Sequence, residues 1–369
     1  MTSITLFLAG DVMTGRGIDQ ILPHPSDPIL FEPHIRDARD YVRLAEAKSG
    51  PIARNVAFEY VWGDALSELV RTEPHASIVN LETSITTSDD ALPWKGIHYR
   101  MHPSNAPCLT AAKIDVCVLA NNHVLDWGEA GLVETLEVLD RARIAVAGAG
   151  RTEQDAKRAA MVDLGHHARV VVLGLGHGSS GIPSSWAAEP TRPGVWLLDD
   201  DLAGPCVDAI GERIHQVKSA GDVVIASIHW GPNWGYQVPA SHVRFAHALV
   251  DAGVDIVHGH SSHHPLPIEI YGQHLILYGC GDFISDYEGI EGYERYRGDL
   301  VLMYLVTVEV TTGALLGLRM VPLRTRKFRL ERALPEETAW LANLVSSMVR
   351  PRGTRVDIDA RGALVLART

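Results

Sequence analysis

A chain of 369 residues with 46% hydrophobic and 21% charged side chains has the composition of a soluble globular protein, long enough for one large domain or two. Its formal net charge of −12 argues against nucleic-acid or anionic-membrane partners, whose interfaces need clustered Lys and Arg. Cys108, Cys117, Cys206 and Cys280 have no paired spacing, so no disulfide framework is expected, and Cys117 and Cys280, in apolar strand-like runs, read as buried, reduced thiols.

Residues 4–9 read as a first strand. The run lacks a basic leader and is too short to span a bilayer, which points to a soluble, cytoplasmic protein. A long Pro- and His-bearing loop over 22–55 precedes a helix over 63–71 and a strand over 76–80. A second irregular stretch, 86–105, leads to a strand over 116–120, a helix over 128–142 and a strand over 144–147. A strand over 170–175 is followed by a third loop, 177–193, a helix over 208–220 and the apolar strand 223–228. The pattern continues with a helix over 243–252, strands over 256–257 and 274–278, and a β-rich stretch over 300–321. A helix over 335–349 and a strand pair over 354–366 form the tail. The order predicts an α/β fold of packed sheets with helices outside. A catalytic domain over 1–325 and a C-terminal extension over 326–369 packed on it are expected.

Metal-loving side chains stand just after these apolar runs, where open sheets build ligand sites. Asp11 follows the first strand, Glu82 ends the second, and Asn122 and His123 follow the third with Asp126 three residues on. His229 ends the strand over 223–228; His258, His260, His263 and His264 crowd one loop, and Asp282 closes the next segment. Each residue alone also reads as a turn, cap or packed strand end. Together they predict an assembled metal site, with Asp126 orienting the His123 ring.

The segments Gly10-Asp11-Val12-Met13, Asn80-Leu81-Glu82 and Ala120-Asn121-Asn122-His123-Val124-Leu125-Asp126-Trp127-Gly128 carry a family resemblance. So do His229-Trp230-Gly231, Gly259-His260-Ser261-Ser262-His263 and Tyr278-Gly279-Cys280-Gly281-Asp282-Phe283. In order and spacing the chain resembles the CapA family of poly-γ-glutamate capsule biosynthesis. The resemblance implies a calcineurin-like metallo-dependent phosphatase fold, two packed β-sheets flanked by helices in an αββα sandwich. It implies Asp11, Glu82, Asn122, His229 and His260 as metal ligands and His123 as an acid/base group. Calcineurin-like phosphoesterases usually carry a histidine two residues after the first aspartate, where this chain has Met13. One divalent ion is therefore expected, Ca²⁺, Mn²⁺ or Mg²⁺ with Zn²⁺ also possible, and no organic cofactor.

A branch of the same family resembles peptide epimerases that invert a C-terminal residue in lasso-peptide biosynthesis, and epimerisation of a precursor peptide is the first expectation. It needs acid/base groups on both faces of a Cα. His123 with Asp126 supplies one, and His263 or His260 with Asp11 or Asp282 the other. Trp230, Trp234 and Tyr236, with Trp94, His98 and Tyr99, are expected to form a slot for an aromatic side chain. Arg16, Lys95 and Arg100 are expected to anchor a terminal carboxylate. A metal-dependent phosphoesterase or amide hydrolase or ligase of the capsule type is the alternative, and a non-catalytic assembly component a third.

Overall fold

The computed structural model describes residues 2–93, 95–165, 168–202, 204–349 and 354–367. Its principal elements run β1 (Ser3–Val12), α1 (Arg39–Ser49), α2 (Asp64–Thr72), β2 (Ala76–Leu81), β3 (Val116–Val118), α3 (Gly128–Arg141) and β4 (Ala145–Ala147). Next come β5 (Arg169–His177), α4 (Gly204–Val217), β6 (Val223–His229), α5 (Ala240–Asp251), β7 (Ile256–His260), β8 (His274–Leu277) and β9 (Asp282–Ile284). The chain ends with β10 (Leu300–Glu309), β11 (Leu315–Arg326), β12 (Arg329–Arg332), α6 (Pro335–Met348), β13 (Arg355–Ile358) and β14 (Leu364–Ala367).

Two sheets result. In the first, β1, β2, β3 and β4 run parallel, while β10 pairs antiparallel to the other side of β1 and leads through β11 to β14 and β13. In the second, β5, β6, β7 and β8 are parallel neighbours. Strand alternation decides how they stack, because successive side chains leave opposite faces. From β1, Leu6 and Leu8 enter the layer between the sheets with Ile78, Val170, Val172, Ile225 and Ile256. Phe7 and Ala9 face the other way, onto Val42 and Ala45 of α1, Leu69 of α2 and Leu132 and Leu139 of α3. The second sheet repeats the logic, sending Val171, Leu173 and Ala226 outward onto Ile210 of α4 and Phe245 and Leu249 of α5. The outcome is the αββα sandwich that the family resemblance implies. Cutting one of its inward leucines to alanine costs about 2–5 kcal/mol.

Two details differ from the sequence reading. The loop over 22–55 contains α1, a mostly polar helix that buries only Tyr41, Val42 and Ala45. Helix α4 begins and ends a few residues earlier than the sequence predicts, while α5 begins earlier but ends within one residue of the expected position. The tail is continuous with the first sheet: β14 pairs with β11 at Arg319↔Val365, and Leu341 and Val345 of α6 join the layer between the sheets. All four cysteines are free and buried, Cys117 and Cys280 as expected. Among the described residues no helix is long and apolar enough to cross a membrane.

Candidate metal-dependent active site

The carboxyl ends of parallel strands from both sheets meet at one place. Asp11 lies near the end of β1, paired in register with Asn80 of β2 and Asp282 of β9. Gly10 makes that approach possible. A Cβ there would stand 1.8 Å from the Gly281 carbonyl oxygen, which instead accepts the Asp11 amide at 3.1 Å.

From the second sheet, His229 and His260 are register partners across β6 and β7, with their Nδ1 atoms 2.9 Å apart. His260 Nδ1 lies 3.9 Å from Asp11 Oδ1. Asp11, His229 and His260 offer ligand atoms within 4.8 Å of one another, and Asp11, His263 and Asp282 form a second such trio. Glu82 reaches in from the end of β2, its Oε1 4.0 Å from His229 Nε2 and 3.8 Å from His123 Nε2. Asn122 Oδ1 is 3.1 Å from His229 Nε2. Ser261 holds its backbone at φ 100°, a strained value for a residue with a side chain, and its amide donates to Asp11 Oδ2 at 3.2 Å.

Asn80 belongs to this centre although the sequence reading gave it no role. Its amide nitrogen donates to Asp11 Oδ1 at 2.7 Å and to Glu82 Oε2 at 3.3 Å, and its carbonyl accepts from Asn121 at 3.0 Å. Asn121 in turn accepts the His123 amide at 3.1 Å. A fully buried asparagine interrupting an otherwise largely apolar strand was the signal available.

The electrostatics of the site are dominated by burial. Burial, with the neighbouring Asp282 carboxylate, pushes Asp11 up to about 7. Burial and the Asp11 charge raise Glu82 well above the carboxylate range. Burial also drives His229 and His260 well below the ordinary imidazole value, so both stay neutral with a lone pair to give. Asp282 Oδ2 is buried and, among the described residues, has no hydrogen-bond partner. Carboxylates that burial disfavours as anions, beside neutral imidazoles, fit a divalent cation. Asp11, His229 and His260 would hold it, with Glu82 and Asn122 alongside.

Two histidine–carboxylate pairs flank this centre. His123 Nδ1 is 2.7 Å from Asp126 Oδ2, which also accepts the Tyr99 amide at 2.7 Å. Lys95 contacts Asp126 and lies 3.0 Å from His123 Nδ1. Burial outweighs the Asp126 attraction and, with Lys95 adding to it, lowers His123 to about 4. On the other side His263 Nδ1 is 2.8 Å from Asp282 Oδ1. There burial is outweighed by Asp282 and Asp11, and His263 is raised.

The residues expected to bind substrate divide. Trp234 and Tyr236 sit beside the centre, Trp234 with its ring 5.2 Å from His263 and stacked on Tyr293 at 4.1 Å. Tyr236 packs against His264 at 4.6 Å. Trp230 does not join them: it stacks on His242 at 4.5 Å and donates to the Tyr278 carbonyl, facing the helical layer. Tyr99 and His98 are buried, and Trp94 lies outside the described residues. None of the three expected carboxylate anchors is uncommitted. Arg16 is buried between Asp286 and Glu32, and Lys95 serves the His123 pair. Arg100 holds Asp89 and backbone carbonyls and lies over Trp127 at 3.9 Å.

The model of the family described as bacterial capsule synthesis protein PGA_cap matches residues 5–287, a span from Ile4's neighbour Thr5 to Tyr287 that includes every residue of this centre. The chain belongs to that family. Within it, the chain is 48% identical over 353 residues to a probable polyglutamine synthesis accessory protein of Mycobacterium tuberculosis H37Rv, covering 96% of this chain and 93% of that one. It is 28% identical over 295 residues to the PGA biosynthesis protein CapA of Bacillus subtilis, covering 80% of this chain and 66% of the other. Among solved structures, a phosphatase from Mycoplasma pneumoniae aligns over 92% of this chain and 98% of its own, at a TM-score of 0.46 and 10% identity.

Proposed function

We propose that this capsule-synthesis family member is a metal-dependent enzyme acting at a carbonyl or phosphoryl centre of a polyglutamyl substrate, as a hydrolase or ligase accessory to polymer synthesis. The observation that carries the reading is the buried cluster of Asp11, Glu82, His229 and His260, flanked by one histidine–carboxylate pair on each side. A divalent ion held there supplies Lewis-acid polarisation of the reacting oxygen. His123, neutral and oriented through Nδ1 by Asp126, leaves Nε2 facing the centre to take a proton from the nucleophile. His263, raised beside Asp282, is placed to return a proton to the leaving group. The names of the relatives support a polyglutamyl substrate.

One observation favours a second reading. Two histidine–carboxylate pairs across one centre also suit epimerisation of a peptide's C-terminal Cα, one group withdrawing a proton and the other delivering one to the opposite face. Trp234 and Tyr236 would then border an aromatic substrate side chain.

Incubation in D₂O with Mn²⁺ or chelator separates the two. Poly-γ-glutamate oligomers, an aryl phosphate and a C-terminally aromatic peptide serve as probes, followed by mass spectrometry. A metal-dependent shortened, extended or dephosphorylated product supports the first reading. One deuterium gained in an intact peptide supports the second. Absence of any metal-dependent change overturns both.

A further inference from the structure

His123 and His263 reach the centre from different segments, yet each is met by a tyrosine at right angles. The Tyr99 and His123 rings are 4.7 Å apart at 88°, and the Tyr287 and His263 rings 5.1 Å apart at 90°. The two phenols touch each other: the Tyr99 hydroxyl donates to the Tyr287 oxygen at 3.1 Å. The Tyr287 hydroxyl in turn donates to Met13 Sδ at 3.6 Å. Behind them, the Arg16 guanidinium lies 3.8 Å over Tyr41, 4.3 Å over Tyr99 and 5.8 Å over Tyr287. Asp286 accepts from Arg16 Nε at 3.1 Å and Nη2 at 2.5 Å, and Glu32 accepts from Nη1 at 2.9 Å.

Each hydroxyl proton is committed within this chain of contacts, so neither phenol offers it to a substrate. Arg16 is similarly taken by two carboxylates. The remaining contribution is geometric. A carboxylate fixes an imidazole at Nδ1 but leaves the ring free to pivot about that bond, and a perpendicular ring packed against it removes the freedom.

We propose that Arg16, Tyr99 and Tyr287 are positioning residues, a guanidinium–phenol–phenol bridge that holds the His123 and His263 rings at one fixed spacing across the centre. The bridge gives Arg16 a role that its sequence context did not show. It also uses Met13, which stands where related phosphoesterases usually carry a histidine: its sulfur ends the hydroxyl chain. The functional value of the bridge rests on His123 and His263 acting as an acid/base pair, but its mechanics do not depend on which reaction they perform.

The coupling is testable without turnover. Tyr99 packs on His123 and Tyr287 on His263, so a bridge transmits a change at either phenol to both imidazoles. In protein labelled with ¹⁵N-histidine, Tyr99→Phe is expected to shift or broaden the ring resonances of His263 as well as His123. Tyr287→Phe, at a half-buried position where the fold tolerates change better, is expected to disturb His123 as well as His263. Arg16→Lys keeps the charge and loses the planar stack, and is expected to disturb both histidines. Circular dichroism and the melting temperature report whether each variant is folded. Disturbance confined to the histidine in direct contact, in folded Tyr287→Phe, overturns the proposal. Where a turnover assay exists, kcat is expected to fall about tenfold with KM and metal affinity unchanged, the mark of lost alignment. Wild-type protein without turnover would defeat the reaction proposed above, while the resonances still decide the bridge.

Discussion

The two histidine–carboxylate pairs share nearly the same bond, 2.7 Å in His123–Asp126 and 2.8 Å in His263–Asp282, and differ in their company. Asp126 is saturated by the Tyr99 amide and the Lys95 ammonium, and that ammonium also faces the imidazole. Asp282 keeps one oxygen without a hydrogen-bond partner among the described residues and shares a potential ligand trio with Asp11. One imidazole is consequently pushed down and the other up. The hydrogen bond orients a histidine; burial and its further neighbours set the direction in which its basicity moves.

The largest effect is expected where the pairs meet the shared carboxylate. Asp11→Asn removes a charge common to both trios, and Mn²⁺ affinity measured by calorimetry should fall about 100-fold or more. Unchanged affinity would place the ion elsewhere. Wild-type protein at a metal concentration 1,000 times its Kd should gain about 4 kcal/mol of stability, seen as a higher melting temperature that chelator reverses.

The next pair of variants separates the two carboxylates. Asp126→Asn should cut turnover by about 10²-fold or more while leaving metal affinity within about twofold, because Asp126 only orients its histidine and favours the imidazolium that proton uptake would create. Asp282→Asn should lower both turnover and affinity, because Asp282 belongs to a ligand trio. Equal behaviour of the two variants would erase the distinction. A smaller change follows from Lys95→Met: with the ammonium gone, His123 should titrate above its value of about 4, moving toward 6.5, as followed by imidazole NMR. A downward move would show that Lys95 supports the histidine instead of opposing its protonation.

The sequence made one class of site residue legible and hid another. Asp11, Glu82, His229 and His260 stand at the ends of apolar strands, so alternation and order alone point them to a common edge. His123 and Asp126 are close in the chain, and a turn suffices to join them. Arg16 shows its charge in the sequence but not its partner: Asp286 lies 270 residues away. Trp230 and Trp234 look equivalent in sequence, yet Trp230 packs into the helical layer and Trp234 lies beside His263. Helix α1 was missed because a polar surface with three buried residues carries little periodic signal.

The smallest expected effect lies just outside the centre, on the Trp230 side. His242 is 5% exposed and stacks on Trp230 at an interplanar angle of 5°. Burial first, and the nearby His177 second, lower it from 6.5 to about 4. Between those values the unfolded chain binds a proton that the folded protein does not, so this group costs stability as pH falls below 6.5, by at most about 1.4 kcal/mol per pH unit. The loss is complete once pH drops below the folded value. His242→Gln cannot take up that proton, so its urea midpoint should decline less steeply than wild type between pH 6.5 and 4.5. Other buried histidines, among them His258, also held at about 4, contribute to the slope of both proteins. The informative quantity is therefore the difference between the two slopes, and a difference of zero would mean that His242 is protonated in the folded protein, its stack on Trp230 notwithstanding.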